Sequence, residues 1–155
     1  MKIIPYLKLM RMKHYFKNLL IFLPLIFSMS FYSLENDIKT VIGFILFSLV
    51  CSMVYIINDI NDIEKDKKHP RKCKRPLASG EVTKKEAYIL LAILAIIVIC
   101  GSILMNTGIY SSIILVVYLI LNILYSKFLK NIPIIDVICL VIGFVLRVVY
   151  GASII

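Results

Sequence analysis

Asn58, Asp59, Asp62 and Asp66 fall within nine residues of sequence, and side-chain oxygens at that spacing can do metal and phosphate chemistry. On a helix of about 100° per residue they project at about 0°, 100°, 40° and 80°, inside one sector about 100° wide. Hard oxygen donors on one stripe suit Mg²⁺, which shares its shell between a few carboxylates and substrate phosphates. Lys67, Lys68, Arg71, Lys72, Lys74 and Arg75 follow at once. These cations either neutralise the acids or bind the outer oxygens of a metal-bound diphosphate, and spacing leaves both open.

The plain alternative is a solvated basic loop between membrane spans. It accounts for the cations but not for three aspartates on one stripe. The D-x-D-x-D-G calcium loop, the G-x-x-x-x-G-K-S/T phosphate loop and the G-x-S-x-G nucleophile elbow are absent from the sequence.

The elements that position this segment are read from composition. Of 155 residues, 61% are hydrophobic and 17% charged, and mean hydropathy is +0.94. A chain of this length lacks the interior to hide so many apolar side chains in water, so the bilayer is its solvent. Spans need about 20 apolar residues, and five are expected at about 18–34, 39–58, 87–105, 109–126 and 132–155, giving an all-α polytopic bundle. Pro70 and Pro76 break the helix after the acidic stripe, Gly80 permits a turn, and Thr83 caps the next helix. The segment 58–86 is thus a loop carrying the Asp-rich motif, within a single transmembrane domain over 1–155. Cys51, Cys100 and Cys139 lie in apolar runs and Cys73 in a basic loop, with no C-x-x-C spacing, so neither zinc nor a disulfide framework is indicated.

Charge sets the expected topology. The net charge is +9, which in a soluble protein would suggest nucleic acid; here it reads as positive-inside bias, with no nucleic-acid partner. The leader carries Lys2, Lys8, Arg11, Lys13 and Lys17 without an acid, and the 59–86 segment holds nine of the 18 basic residues. Basic and non-basic connections alternate, which puts the N-terminus and the Asp-rich loop on the cytoplasmic side of the cell membrane. The last span runs to Ile155 with no polar tail, so a truncated chain or a completing second chain is expected.

The segment Asn58-Asp59-x-x-Asp62-x-x-x-Asp66 resembles the first Asp-rich motif of the UbiA superfamily of membrane prenyltransferases. The following His69-Pro70-x-Lys72-x-x-Arg75-Pro76-x-Ala78-x-Gly80 resembles its decaprenyl-phosphate phosphoribosyltransferase branch. Lys17-Asn18 is similar to the family's K-N signature, with Tyr15 where a Trp is usual, and Tyr125-Ser126-x-x-Leu129-Lys130 closes the fourth span as in that branch. Family members have about nine spans and a second Asp-rich motif, so the resemblance covers an N-terminal half.

The resemblance implies a Mg²⁺-dependent transferase working at the cytoplasmic face. Asn58, Asp59, Asp62 and Asp66 would bind the metal, with Asp62 and Asp66 the catalytic pair. Lys17, Lys72, Arg75 and Lys130 would clamp phosphates, Asn18 would join them in binding substrate, and Tyr125 would position the acceptor. The branch implies phosphoribosyl transfer from 5-phosphoribosyl 1-diphosphate to a polyprenyl phosphate. One alternative is transfer from a prenyl diphosphate to an aromatic acceptor. Another is a non-catalytic membrane subunit or transporter fragment that binds anions. In the fifth span, Asp136 and Arg147 share a face about 16 Å apart along the helix, too far to pair. Asp136 is expected near the site, and Arg147 is expected to pair structurally with a group elsewhere.

Overall fold

The computed structural model describes residues 3–127 and 133–155, and every regular element among them is helical. A short helix α1 (Ile3–Met10) leads into a 3₁₀ helix (Met12–Phe22) that continues as α2 (Leu23–Phe27). After a single 3₁₀ turn (Ser30–Tyr32) come α3 (Leu34–Asn61) and α4 (Ile63–Lys67). Another 3₁₀ turn (Lys72–Lys74) precedes α5 (Lys84–Leu104), α6 (Gly108–Lys127) and α7 (Pro133–Ile154).

The four helices α3, α5, α6 and α7 are long and apolar enough to cross a membrane, in the places the sequence suggests. The expected first span, 18–34, is instead assembled from short pieces. The pieces begin at Met12, six residues before the expected span; counted from there, eleven 3₁₀ residues at about 2.0 Å and five α residues at about 1.5 Å reach about 30 Å, near the thickness of the hydrocarbon layer. The tighter helix also sets a different seam. With three residues per turn, Tyr15, Asn18 and Ile21 stack on one face. Tyr15 Oη pairs with Ser52 Oγ at 2.7 Å and Asn18 Nδ2 donates to Ser48 Oγ at 2.9 Å, while Ile21 is fully buried. On α3 the partners Ser48 and Ser52 sit one α-turn apart, so a period-three face zips onto an i, i+4 face.

Helix α3 is the hub, packing on α5, α6, α7 and the 3₁₀ segment, while α6 packs on α7. One apolar core joins Ile21, Phe47, Val50, Leu115, Tyr118 and Tyr150. Its Phe47 ring lies 4.6 Å from that of Tyr118 and 5.2 Å from that of Tyr150, tilted pairs worth about 0.5–1.5 kcal/mol each beyond their buried area. A second core joins Leu9, Ile56, Ile63, Leu77, Val82 and Leu94. Leu77 and Val82 come from the loop itself, so the loop is anchored by its own apolar residues. Its exit is fixed by Gly80 at φ +80° and by a capping box. In that box Glu86 Oε2 accepts from the Thr83 backbone at 2.7 Å and Glu86 N donates to Thr83 Oγ1 at 3.3 Å. Outward, α5 and α6 leave large side chains such as Ile96, Ile103, Ile109 and Val116 exposed. That surface suits lipid and not water.

Small residues allow the closest helix approaches. A Cβ on Gly151 would run into the backbone carbonyl of Ile21, whereas one on Gly43 would meet only the flexible tip of Ile154 and the Tyr150 ring. Gly151→Ala is expected to lower stability by about 1–3 kcal/mol as an overpacked site, and Gly43→Ala by less. Thermal unfolding in detergent, followed for both variants, checks the order.

Candidate functional site

The acidic stripe forms as the end of α3, but it is not one uniform cluster. α3 stops at Asn61, and Asp62 takes φ −95°, ψ 7° before α4 resumes. The backbone bonds Asp62 N to Asn58 O (3.0 Å) and Asp66 N to Asp62 O (2.8 Å) carry the turn across this joint. Asp59 and Asp66 are both 2% exposed and face guanidinium groups. Arg75 Nη1 donates to Asp66 Oδ2 at 2.7 Å and to Asp59 Oδ1 at 3.2 Å, and Arg11 Nη2 donates to Asp59 Oδ1 at 2.6 Å. Asn58 lines a cavity that adjoins the helix end. Asp62 is half-buried, with no side-chain hydrogen bond among the described residues.

The expectation that all four donors meet at one point is therefore corrected. Among the described residues, no three His, Cys, Asp or Glu side chains are grouped to hold a metal by themselves. The reason is burial. Two carboxylates taken out of water need cations beside them, and Arg75 and Arg11 supply them. Arg75, expected as a phosphate clamp, is the bridge of an Asp–Arg–Asp chain. One atom stays open: Asp66 Oδ1 is buried with no hydrogen-bond partner. That orphan oxygen, with Asn58 and Asp62, fits a Mg²⁺ that takes one or two protein carboxylates and completes its shell with water and phosphate. Glu64 stands apart, because a hydrogen bond from Lys67 (2.9 Å) holds its carboxyl below the usual range.

The cavity has a volume of about 200 Å³ and lies between the 3₁₀ segment, α3, α6 and α7. Lys17, Asn58, Tyr118, Tyr125, Gly143 and Arg147 are among its lining residues. Lys17 is exposed. Tyr125 Oη donates to Asp136 Oδ1 at 2.5 Å, so Asp136 fixes the ring that lines the cavity. Asn18 differs from its expected substrate-binding role. It is 1% exposed and its amide is used inside the bundle, by Ser48 and by Arg147 Nε at 2.9 Å. Lys72 is half-buried on the loop, beside the acidic end. Lys130 lies outside the described residues.

Three residues of this region carry little sequence signal. Arg11 is one cation in a basic leader, and only its left-handed backbone (φ 51°) and its reach to Asp59 set it apart. Tyr118 and Asn122 are polar positions in an apolar run. Their spacing from Tyr125, one and two helical turns, is the signal that could have placed all three on the cavity face.

Comparison with known proteins follows the same lines. The pattern that defines the UbiA prenyltransferase family matches residues 19–155. The chain is 35% identical over 80 residues to a decaprenyl-phosphate phosphoribosyltransferase of Mycobacterium tuberculosis, covering 52% of this chain and 26% of that protein. It is 31% identical over 114 residues to the protein of that name in Corynebacterium glutamicum, covering 72% and 34%. It is 35% identical over 105 residues to a 4-hydroxybenzoate octaprenyltransferase of Shewanella piezotolerans, covering 65% and 36%. A solved structure described as a digeranylgeranylglyceryl phosphate synthase in membranes superposes with a TM-score of 0.76 at 27% identity, covering 97% of this chain and 52% of that one. The chain thus spans about a quarter to a third of the curated relatives it matches.

Removing the bridging cation tests the electrostatics. Arg75→Ala leaves the buried Asp66 without a cation and is expected to cost about 3 kcal/mol. In Asp66→Asn/Arg75→Ala much of that loss returns, because the uncompensated charge is gone. Urea or thermal unfolding of both single variants and the double variant gives the coupling directly.

Proposed function

The chain belongs to the UbiA prenyltransferase family, and from that premise we propose that it carries the metal- and diphosphate-binding part of a phosphoribosyl transfer to a polyprenyl phosphate. It is a multi-pass membrane protein of a transferase family. The observation that supports the finer reading is the juxtaposition at one end of the bundle. There Asn58 lies in the last turn of α3, Asp62 forms the α3–α4 joint and the orphan Oδ1 of Asp66 lies one turn on in α4, with Lys72 on the loop that follows and Lys17 at the adjoining cavity. The positive-inside bias of the leader and of 58–86 supports a cytoplasmic orientation for this end, where a soluble anionic donor arrives.

In this reading an oxygen of the lipid phosphate attacks C1 of the ribose ring. The C1–O bond to the diphosphate breaks, and diphosphate leaves with the bonding electron pair. No general base is needed, because the attacking phosphate is already an anion. Asn58, Asp62 and Asp66 would hold a divalent cation, whose chemistry is Lewis-acid neutralisation of the leaving charge. Lys17 and Lys72 bind phosphate oxygens as mobile point charges. Arg75 holds Asp59 and Asp66 in place and so sets which carboxylate oxygen stays open. Tyr125, oriented by Asp136, borders the space the acceptor enters.

A second reading, transfer of a prenyl group from a prenyl diphosphate, is favoured by the structural match over nearly the whole chain. Titrating 5-phosphoribosyl 1-diphosphate and geranyl diphosphate in parallel, with and without Mg²⁺, into the chain in nanodiscs separates the two. Mg²⁺-dependent binding of the sugar diphosphate is expected. Asp62→Asn is expected to weaken it about tenfold or more, the loss of one charged contact. Preference for geranyl diphosphate selects the second reading. Unchanged binding in both Asp62→Asn and Asp66→Asn overturns the enzyme reading in favour of an anion-binding membrane subunit.

A further inference from the structure

Arg147 is 9% exposed and sits deep in α7, about 21 Å along the helix from Pro133. A cation at that depth needs a counter-charge or a full set of acceptors. Its partners are all neutral. Nε donates to Asn18 Oδ1 at 2.9 Å, Nη1 to the Gly143 carbonyl at 2.7 Å and Nη2 to Tyr118 Oη at 2.9 Å. The rings of Tyr118, Phe144 and Phe47 lie 5.2, 5.5 and 5.7 Å from its Cζ. These contacts hold the fork in place but leave its charge uncompensated. Each Nη carries a second N–H, and beyond the neutral Cys51 thiol beside the fork no carboxylate among the described residues meets them.

The fork lines the cavity, and the cavity has a sign. Its charged lining residues are Lys17 and Arg147, with no Asp or Glu. It also has depth. Tyr118 lies about 10 Å further along α6 than Tyr125, so Asn58 and Tyr125 mark one level and Tyr118 and Arg147 a deeper one. About 200 Å³ is far more than the 10–15 Å³ or so that one water needs.

We propose that this cavity is the binding site for the phosphate group of a lipid phosphate, with Arg147 as its deep recognition cation and Lys17 as the outer one. The phosphate supplies the counter-charge that Arg147 lacks and accepts from its fork in the planar geometry that guanidinium and phosphate share. The apolar lining favours a lipid as the source. A soluble donor meets its cations on the 67–75 loop, whereas a lipid phosphate must seat an isoprenoid chain beside its headgroup, and Val54, Leu140 and Phe144 line the space its first carbons would occupy. This rests on the reading of a polyprenyl phosphate as acceptor and adds the residue that recognises it.

The test uses the chain in nanodiscs with farnesyl phosphate, farnesol and inorganic phosphate as probes. Farnesyl phosphate is expected to bind more tightly than either control. Arg147→Gln is expected to weaken it about tenfold or more while leaving farnesol binding and Mg²⁺-dependent 5-phosphoribosyl 1-diphosphate binding unchanged. Lys17→Gln, at an exposed position, gives a smaller loss with no risk to folding, and Arg147→Lys recovers only part of the affinity, because the fork is lost. Farnesyl phosphate binding that is equal in wild type, Arg147→Gln and Lys17→Gln overturns the proposal. Inorganic phosphate binding as tightly as farnesyl phosphate overturns the lipid source. If the sugar diphosphate fails to bind wild type while the Arg147 effect on farnesyl phosphate persists, the phosphoribosyl reading fails and this site stands.

Discussion

A charge buried among apolar helices must find an opposite charge or a sufficient set of dipoles, and that constraint arranges the functional end of this molecule. Asp59 and Asp66 meet it with Arg75 and Arg11. Arg75 comes from the loop and Arg11 from the junction after α1, so two connections are drawn onto the end of α3 by the same pair of carboxylates. Breaking such a pair costs more than never having formed it. The loop therefore cannot leave the helix end without stripping Asp66 of its cation and leaving Asp59 to Arg11 alone. The apolar anchors Leu77 and Val82 act in the same direction, which is why a basic, proline-bearing loop packs as a structured element.

Arg147 answers the same constraint differently. It takes an amide oxygen, a phenol and a backbone carbonyl, three neutral acceptors from three parts of the chain. Asn18 can serve it only because the 3₁₀ segment brings residue 18 onto the same line as Tyr15 and Ile21. In an α-helix, residues 15, 18 and 21 would drift about 120° over the six residues. The unusual helix and the buried cation are thus two aspects of one arrangement: the period-three seam on α3 presents the amide, and the amide holds the guanidinium over the cavity.

Much of this was legible in the sequence. Four spans, the N-cap at Thr83, the turn at Gly80 and the acidic stripe follow from hydropathy, from N-cap chemistry and from the 100° rule. What was not legible follows from competition between partners. The wheel places Asn58, Asp59, Asp62 and Asp66 in one sector, but it cannot say which carboxylates will be claimed by Arg75 and Arg11. It also assumes a 3.6-residue period, which hid the stacking of Tyr15, Asn18 and Ile21; the substrate role given to Asn18 came from the K-N resemblance, which carries no information on its pairing with Ser48 and Arg147. Arg147 was legible as a costly buried charge, and its lack of a carboxylate partner needed the fold.

The two solutions sit side by side, and the difference between them has a chemical use. At the α3–α4 joint the acids carry their own cations, and the open oxygen of Asp66 leaves room for one more positive charge. In the cavity the cations lack acids, which leaves room for a negative one. In the proposed reaction both substrates are anions that repel each other in open water, and at low dielectric that repulsion grows. A site that gives each anion its own positive partner, one through the acid-held cation and one through the arginine and lysine, removes the repulsion without placing the two groups on the same charges. The two sites meet at the end of α3. Asn58 lines the cavity and Asp59 faces the arginines, one residue and about 100° apart, so a single helix end brings both sites side by side, with Asn58 between them.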